Sequence, residues 1–506
     1  MIKFILRRFA AAIGILLVAS VLMYVLVINA GDPLADLRES RAKNRELLME
    51  RRISFMNLDQ PWYLRYLTWL GGVGRCVIGQ CDLGRDRTGV EVSTLLGQAA
   101  SSTLRLVFLA TVIALVIGVA VGILTAIRQY SGLDYAVTFL TFVFFSLPVF
   151  WAAVLLKEYL AIGFNDWIAE PELPPLQIFL IAVAFAFVLQ VVLGGSWRRR
   201  ALTFLVTAVV IGGGLAAMLA TDFFRAPQLG YAGVAVLTVG LALSTTAMTV
   251  GLDRREVLIP ALITAGFVVV LQFALVNVFV YYMNWWILIL GAVAAIAVPW
   301  VIGSRLGGRY RSAAIGVSIT TGLGGAALTV IDHLFRSWPG FLDKKPRPIS
   351  TIGSQTPNFD GTFWETFLDL STQLLLPTLL LALISLASYS RYTRSSMLEV
   401  GRQDYIRTAR AKGAPERIVI FRHAFRNALI PIATIAAFDF AGLIGGAVIT
   451  ETVFGWKGMG ELFRTGLSNA DPAPVMAFFL VTGAAAIFFN LLADIFYAVL
   501  DPRIRV

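Results

Sequence analysis

The chain has 506 residues, of which 58% are hydrophobic and 14% charged, with a mean hydropathy of +0.77; soluble domains carry roughly 25% charged residues. That composition excludes a soluble globular domain and describes a polytopic membrane protein. The formal charge of +11 would suggest nucleic acid in a soluble protein, but here the arginines are spread over membrane-flanking loops, with no basic face interleaved with stacking aromatics.

Phe9 to about Ala30 is one apolar run, preceded by Lys3, Arg7 and Arg8. A secretory apolar core is only about 7 to 15 residues long, so residues 1–30 read as a retained first transmembrane helix with its basic end in the cytoplasm. Residues 31–98 are then extracytoplasmic, polar and mixed in charge, with an amphipathic piece around Ala35 to Phe55. Cys76 and Cys81, the only cysteines, both fall there. They form a candidate disulfide closing a small loop. A metal site is disfavoured, because the only histidines, His333 and His423, adjoin neither cysteine in sequence.

Residues 99–162 hold two apolar runs, Thr103 to Ile127 and Tyr135 to Ile162, joined by a short turn with Arg128. Six more fill residues 163–335: Leu176 to Gly195, Ala201 to Ala220, Tyr231 to Val250, Val257 to Tyr281, Trp285 to Ile302 and Ala313 to Ile331. Charge checks the even count. The links expected inside carry Arg198, Arg199, Arg200, Arg254, Arg255, Arg305, Arg309 and Arg311, whereas the opposite short links hold only Arg225. Residues 336–373, which include the polar KKPRP stretch, read as a second extracytoplasmic loop. Three last runs begin near Leu374, Asn427 and Pro474 within 374–506. The expected fold is all-α and polytopic, with about twelve transmembrane helices and both termini cytoplasmic.

Between the last runs lies EVGRQDYIRTARAKGAPERIVIFRHAFRNALIP, from Glu399 to Pro431. So many arginines cannot lie in hydrocarbon, so the stretch stands in water on one side of the membrane. Its chemistry predicts two short helices and a sharp turn: Tyr405, Ala409 and Lys412 share a face, Gly413 stops the first helix, Pro415 suits the first turn of the second, and Glu416 complements its N-terminal dipole. Ile418, Val419, Ile420 and Phe421 make the second helix apolar enough to rest on a partner or a membrane-proximal surface. The arginines could merely obey the positive-inside rule; the ordered Gly-x-Pro turn favours a docking element.

Catalytic motifs are missing from the sequence. It holds no G-x-x-x-x-G-K-[ST] phosphate loop, and no His/Cys/carboxylate cluster has metal spacing. The alternatives to a docking transport subunit are an ion-coupled secondary transporter or a polytopic membrane enzyme. The first would be marked by ionisable residues within spans, and Asp439 and Asp494 are such residues. Asp439 either faces a translocation path, where it could meet a peptide's amino terminus, or makes a helix-helix hydrogen bond; for Asp494 a structural polar contact is expected.

The pattern RTARAKGAPERIVIFRHAFRNALIP resembles the cytoplasmic EAA-type loop of ATP-binding cassette importer permeases, specifically of the dipeptide and oligopeptide family. NAGDP (29–33), LDQPWYLRYLTWL (58–70), SLPVFW (146–151), GGAVITETVFGWKGMG (445–460) and the closing LDPRIRV agree, so the resemblance covers about the first 160 and last 135 residues. It implies a six-helix type I permease core; the block of about six extra transmembrane helices departs from the family's usual pattern and is expected to be a scaffold against lipid or a surface for another membrane protein. It also implies a coupling loop at 399–427, with Tyr405, Arg407, Thr408, Ala409, Lys412, Gly413, Glu416 and Arg417 as the ATPase-contacting residues. Arg407, Thr408 and Ala409 stand where the general motif has Glu-Ala-Ala; the Glu is absent, as in the peptide-importer subclass. Asp439 and Glu451 are the candidates for the translocation pathway. The implied partners are a second permease, two ATPase subunits or domains that bind ATP and Mg in place of this chain, and an extracytoplasmic peptide-binding protein. The implied setting is a bacterial or archaeal cytoplasmic (inner) membrane, and the substrate class includes dipeptides, longer peptides, glutathione-like compounds and nickel chelates.

Overall fold

The computed structural model describes the backbone of residues 2–500 and the side chains of residues 7–492, apart from those of Arg417, Ile430 and Gly446. The side chains of Asp494 and Arg417 therefore lie outside what is described. The chain is built from helices; the one extended pairing among the described residues is an isolated antiparallel bridge between Arg85 and Glu91.

In chain order the principal helices are α1 (Ile2–Ile28), α2 (Arg45–Met56), α3 (Trp62–Cys76), α4 (Val92–Ile127), α5 (Gly132–Ser146), α6 (Val149–Leu155), α7 (Pro175–Leu193), α8 (Trp197–Ala220) and α9 (Gly230–Thr249). There follow α10 (Arg255–Ala274), α11 (Trp285–Leu306), α12 (Arg311–Lys344), α13 (Phe363–Gly401), α14 (Asp404–Ala411), α15 (Arg426–Gly446), α16 (Val448–Val453), α17 (Met459–Ser468) and α18 (Pro472–Leu500). Ten helices among the described residues are long and apolar enough to cross a membrane. Two bent pairs, Gly132–Ser146 with Val149–Ala169 and Val419–Leu429 with Pro431–Gly445, raise the number to twelve if each is one span. In lipid, backbone polar groups must be satisfied within the segment, which is why long apolar runs become helices.

The chain divides into two compact units, one comprising Met1–Ile162, Ser350–Ser354 and Gln373–Val506, the other Gly163–Ile349 and Gln355–Thr372. The first holds α1 to α6, most of α13, and α14 to α18. Ala110, Ala114, Gly118 and Gly122 form a small-residue stripe along α4, and a Cβ on Gly118 or Gly122 would collide with Tyr389 or Thr393 of α13. Without a hydrophobic driving force between helices in lipid, such close approach supplies the packing energy.

The second unit holds the six added spans, α7 to α12. The buried hydroxyls of Thr238, Thr246, Thr264 and Thr321 each donate to the carbonyl four residues back in their own helix, so they need no partner from a neighbour. Whereas the sixth added run reads as ending at Ile331, α12 continues to Lys344 through Pro339. Packing explains the extension. His333 is sandwiched between the rings of Phe279 and Trp364 at 5.1 and 5.3 Å, and the fully buried Asp332 accepts from the N–H groups of Leu229 and Gly230 and from Arg336. Beyond them, Lys344 and Lys345 pair with Glu365 and Asp369. Likewise α13 begins at Phe363, ahead of the apolar run at Leu374, because its first turns carry these paired carboxylates.

Candidate functional site

The basic stretch after α13 folds into a hairpin. Its first arm is α14, and the turn closes with two hydrogen bonds in which Gly413 N donates to Arg410 O at 2.9 Å and Ala414 N donates to Ala409 O at 3.2 Å. That double bond pattern is the Schellman cap, which needs a left-handed residue at its centre. Gly413 supplies it with φ +77°, and a Cβ there would meet nothing within 4 Å, so the demand for glycine is one of backbone conformation alone. Pro415 takes the capping position of the second arm, one residue ahead of its first helical turn, with Glu416 as the first helical residue. The arm then widens into a π-type turn from Val419 to Phe425 before α15 begins.

The hairpin has a polar outside. Arg410 binds Glu416 in a two-pronged pair, Nη2 to Oε1 at 2.7 Å and Nε to Oε2 at 3.1 Å. This partner holds the Glu416 carboxyl below its ordinary range and the Arg410 guanidinium above its own. Arg407 lies 3.6 Å from Asp404 across one helical turn, both well exposed. Thr408 Oγ1 donates to Asp404 O, Lys412 is exposed, and the Tyr405 hydroxyl accepts from Asn427 Nδ2 at 2.8 Å.

Its inside is apolar and rests on one residue that the charge pattern conceals. Ile406 is fully buried in a cluster with Met397 of α13, Val419 and Ala424 of the second arm, and Ala428 of α15, flanked by Ile123 and Ala126 at the end of α4 and by Ala409 and Ala414. Three spanning helices thus converge on the hairpin. Of the four apolar residues of the second arm, Val419 is buried and Ile420 half-buried, whereas Ile418 and Phe421 are exposed. The signal for Ile406 was available in the sequence: it is the one large aliphatic side chain of α14, beside three charged ones, Asp404, Arg407 and Arg410.

Asp439, on α15, is half-buried and accepts from the Tyr389 hydroxyl of α13 at 2.7 Å. Glu451 is fully enclosed. Its Oε1 accepts from Thr103 Oγ1 at 2.6 Å, and its Oε2 accepts from the N–H groups of Gly460 and Glu461 at 2.7 and 3.2 Å. Thr103 Oγ1 in turn accepts from Met459 N. Burial pushes the Glu451 carboxyl above its ordinary pKa against these bonds. The glycines around it are required by space. A Cβ on Gly460 would come within 2.6 Å of Val448 Cα, and one on Gly458 would strike the Glu451 carboxyl and the Thr103 hydroxyl. The loop from Glu451 to Gly460 is therefore wrapped around its own carboxylate and pinned to α4.

Cys76 and Cys81 are joined in a disulfide at the end of α3. No group of three or more His, Cys, Asp or Glu side chains among the described residues could hold a metal ion.

Comparison with known proteins locates these features in a family. A model described as the inner membrane component of binding-protein-dependent transport systems matches residues 313–506, which contain the hairpin and the Glu451 loop. The model of that component's N-terminal part matches residues 1–85. The chain belongs to this family. Residues 86–312, lying outside both matches, contain five of the six added spans. Similar proteins include the oligopeptide transport system permease protein OppB of Mycobacterium bovis, 47% identical over 154 residues, which are 30% of this chain and 47% of that one. The dipeptide transport system permease protein DppB of Alkalihalophilus pseudofirmus is 39% identical over 175 residues, 33% of this chain and 51% of that one. The oligopeptide transport system permease protein AppB of Bacillus subtilis is 25% identical over 506 residues, the full length of both. The chain spans about half the length of the first of these relatives.

Proposed function

We propose that the chain is one permease half of an ATP-driven peptide importer, a transport subunit with no chemistry of its own, in the cytoplasmic membrane of a prokaryote. A second permease completes the pathway, an extracytoplasmic binding protein delivers peptide, and two ATPase domains bind ATP and Mg below. One of these grips the hairpin around Tyr405, Arg407, Thr408, Ala409, Lys412, Gly413, Glu416 and Arg417.

The observation that carries this reading is the burial of Ile406 against the ends of α4, α13 and α15. A hairpin that only satisfied the charge rule would need no apolar anchor. One that transmits movement must be stiff and wedged among the helices it moves, because packed cores have discrete arrangements and do not deform continuously. Closure of the ATPase dimer would push the polar face of α14, and Ile406 would carry the displacement into the three spans, biasing them between outward and inward states by differential contact. The names of the similar proteins as oligopeptide and dipeptide permeases and the family match support the substrate class.

The test is purification of the chain from detergent extracts of its own membranes, with an impermeant thiol probe directed at Lys412→Cys. Recovery of an ATPase and a second permease, with labelling only in inverted vesicles, is the expected result. Peptide or ion transport by this chain alone in liposomes, or labelling from the outer face, would overturn the reading.

A further inference from the structure

The first unit contains a polar enclosure that the transport reading leaves unused. A cavity of about 390 Å³ is lined by Tyr24, Arg65, Trp69, Asp82, Arg85 and Asp471, among others. Arg65 and Trp69 stand four residues apart on α3 and so project from one face. Trp69 is only 9% exposed, and neither its indole Nε1 nor the buried Nε of Arg65 has a hydrogen-bond partner. Both groups can only donate. Buried donors are paired with few exceptions, and each exception calls for an explanation.

The carboxylates of the lining do not supply it. Asp471 is occupied by the N–H groups of Arg87 and Ala473, and Asp82 accepts from Gly84 N and pairs with Arg75 at 3.6 Å. Arg85 is exposed and has no ion pair among the described residues. The enclosure therefore presents two cations and an indole N–H with nothing to receive them, while its anions are committed. The missing partner has the chemistry of an acceptor with negative charge.

We propose that this cavity binds an oxyanion, a carboxylate or phosphate group, whose oxygens accept from Arg65 Nε and Trp69 Nε1 while Arg85 adds positive charge at the rim. Charge-assisted bonds of this kind are the strong ones. The location allows two sources. Tyr24 lies near the end of α1 and Asp471 immediately precedes α18, so the cavity is level with the ends of two spans, where lipid headgroups sit and where dissolved anions also arrive.

Two arms of one experiment separate them, using the full chain in its purified complex. In the first, the melting temperature is measured in inorganic phosphate against chloride at matched ionic strength. In the second, native mass spectrometry counts phosphatidylglycerol retained against phosphatidylcholine from mixed micelles. Arg65→Gln removes the charge, and Trp69→Phe removes the indole N–H together with part of the ring while keeping an aromatic side chain beside Tyr66. Wild type is expected to respond in at least one arm, with apparent affinity falling about tenfold in both variants while the melting temperature of Arg65→Gln in chloride matches wild type. A response to phosphate alone identifies a free anion, and retention of phosphatidylglycerol alone identifies a headgroup. If wild type and both variants behave alike in both arms, the proposal is wrong; because neither arm measures transport, that outcome leaves the importer reading standing.

Discussion

The hydroxyl of Tyr389 donates to the carboxylate of Asp439 over 2.7 Å, tying α13 to α15 through a side chain that is itself almost fully buried. An acceptor is what that bond requires at 439, and an amide oxygen is one. Asp439→Asn should therefore preserve both assembly and peptide uptake. Tyr389→Phe should lower stability by about 0.6 kcal/mol, the mean for side-chain hydrogen bonds between membrane helices. Uptake lost in Asp439→Asn with assembly intact would instead place the negative charge on the translocation path.

Gly413 holds φ +77° and donates its N–H within the cap. Proline can adopt neither that angle nor that bond, whereas alanine meets no steric obstacle and bears only the left-handed penalty of roughly 1–2 kcal/mol. Gly413→Pro is expected to leave membrane insertion and ATP hydrolysis by the assembled complex in place while abolishing uptake, with Gly413→Ala in between. Paired hydrolysis and uptake assays on both variants measure this, and normal uptake by the proline variant would remove the hairpin from the coupling route.

Ile406 makes the corresponding case from packing. Truncation to alanine removes a fully buried aliphatic side chain, a change that costs about 2–5 kcal/mol where the site cannot collapse. The loss falls on the seat of the hairpin, so Ile406→Ala should raise proteolytic cleavage between residues 402 and 426 and lower the uptake obtained per ATP hydrolysed. Unchanged cleavage would mean that the seat is held by other contacts.

Glu451 satisfies a hydroxyl and two backbone N–H groups at once. Glu451→Ala leaves all three without their acceptor, and an unsatisfied buried donor costs about 1–3 kcal/mol. Thr103→Val removes one donor and leaves one buried N–H, that of Met459, without its acceptor, but the carboxylate keeps its two N–H bonds, so its melting temperature should fall by less than that of Glu451→Ala. Equal losses would show that the two N–H bonds to the carboxylate add nothing to stability beyond the Thr103 contact.

Asp471 provides a pH signature. Burial pushes its carboxyl up to about 6 against the N–H bonds from Arg87 and Ala473. The folded state thus binds a proton that the unfolded state releases nearer the ordinary value of 3.8, and the group's contribution to stability is full below that value and is lost as pH rises through about 6. Thermal unfolding between pH 4 and pH 7 should show this decline in wild type, and Asp471→Asn should flatten it. An unaltered profile in the variant would assign the dependence to other groups.

Much of this molecule was legible in its residues because the bilayer enforces a simple rule: an apolar run of about 20 residues has to become a helix, since no other single segment satisfies its own backbone there. Hydropathy alone therefore located the first helix, the six added spans from Leu176 onward and the even count, and Gly413 announced its turn because few residues other than glycine hold a left-handed backbone cheaply. The sequence could not determine what lies beside what. The partnership of Thr103 with Glu451 joins residues 348 positions apart, the continuation of α12 past Ile331 depends on rings from Phe279 and Trp364 closing on His333, and the value of Ile406 comes from three spans that meet at it. Burial and close packing are properties of the assembled chain, and no local pattern records them.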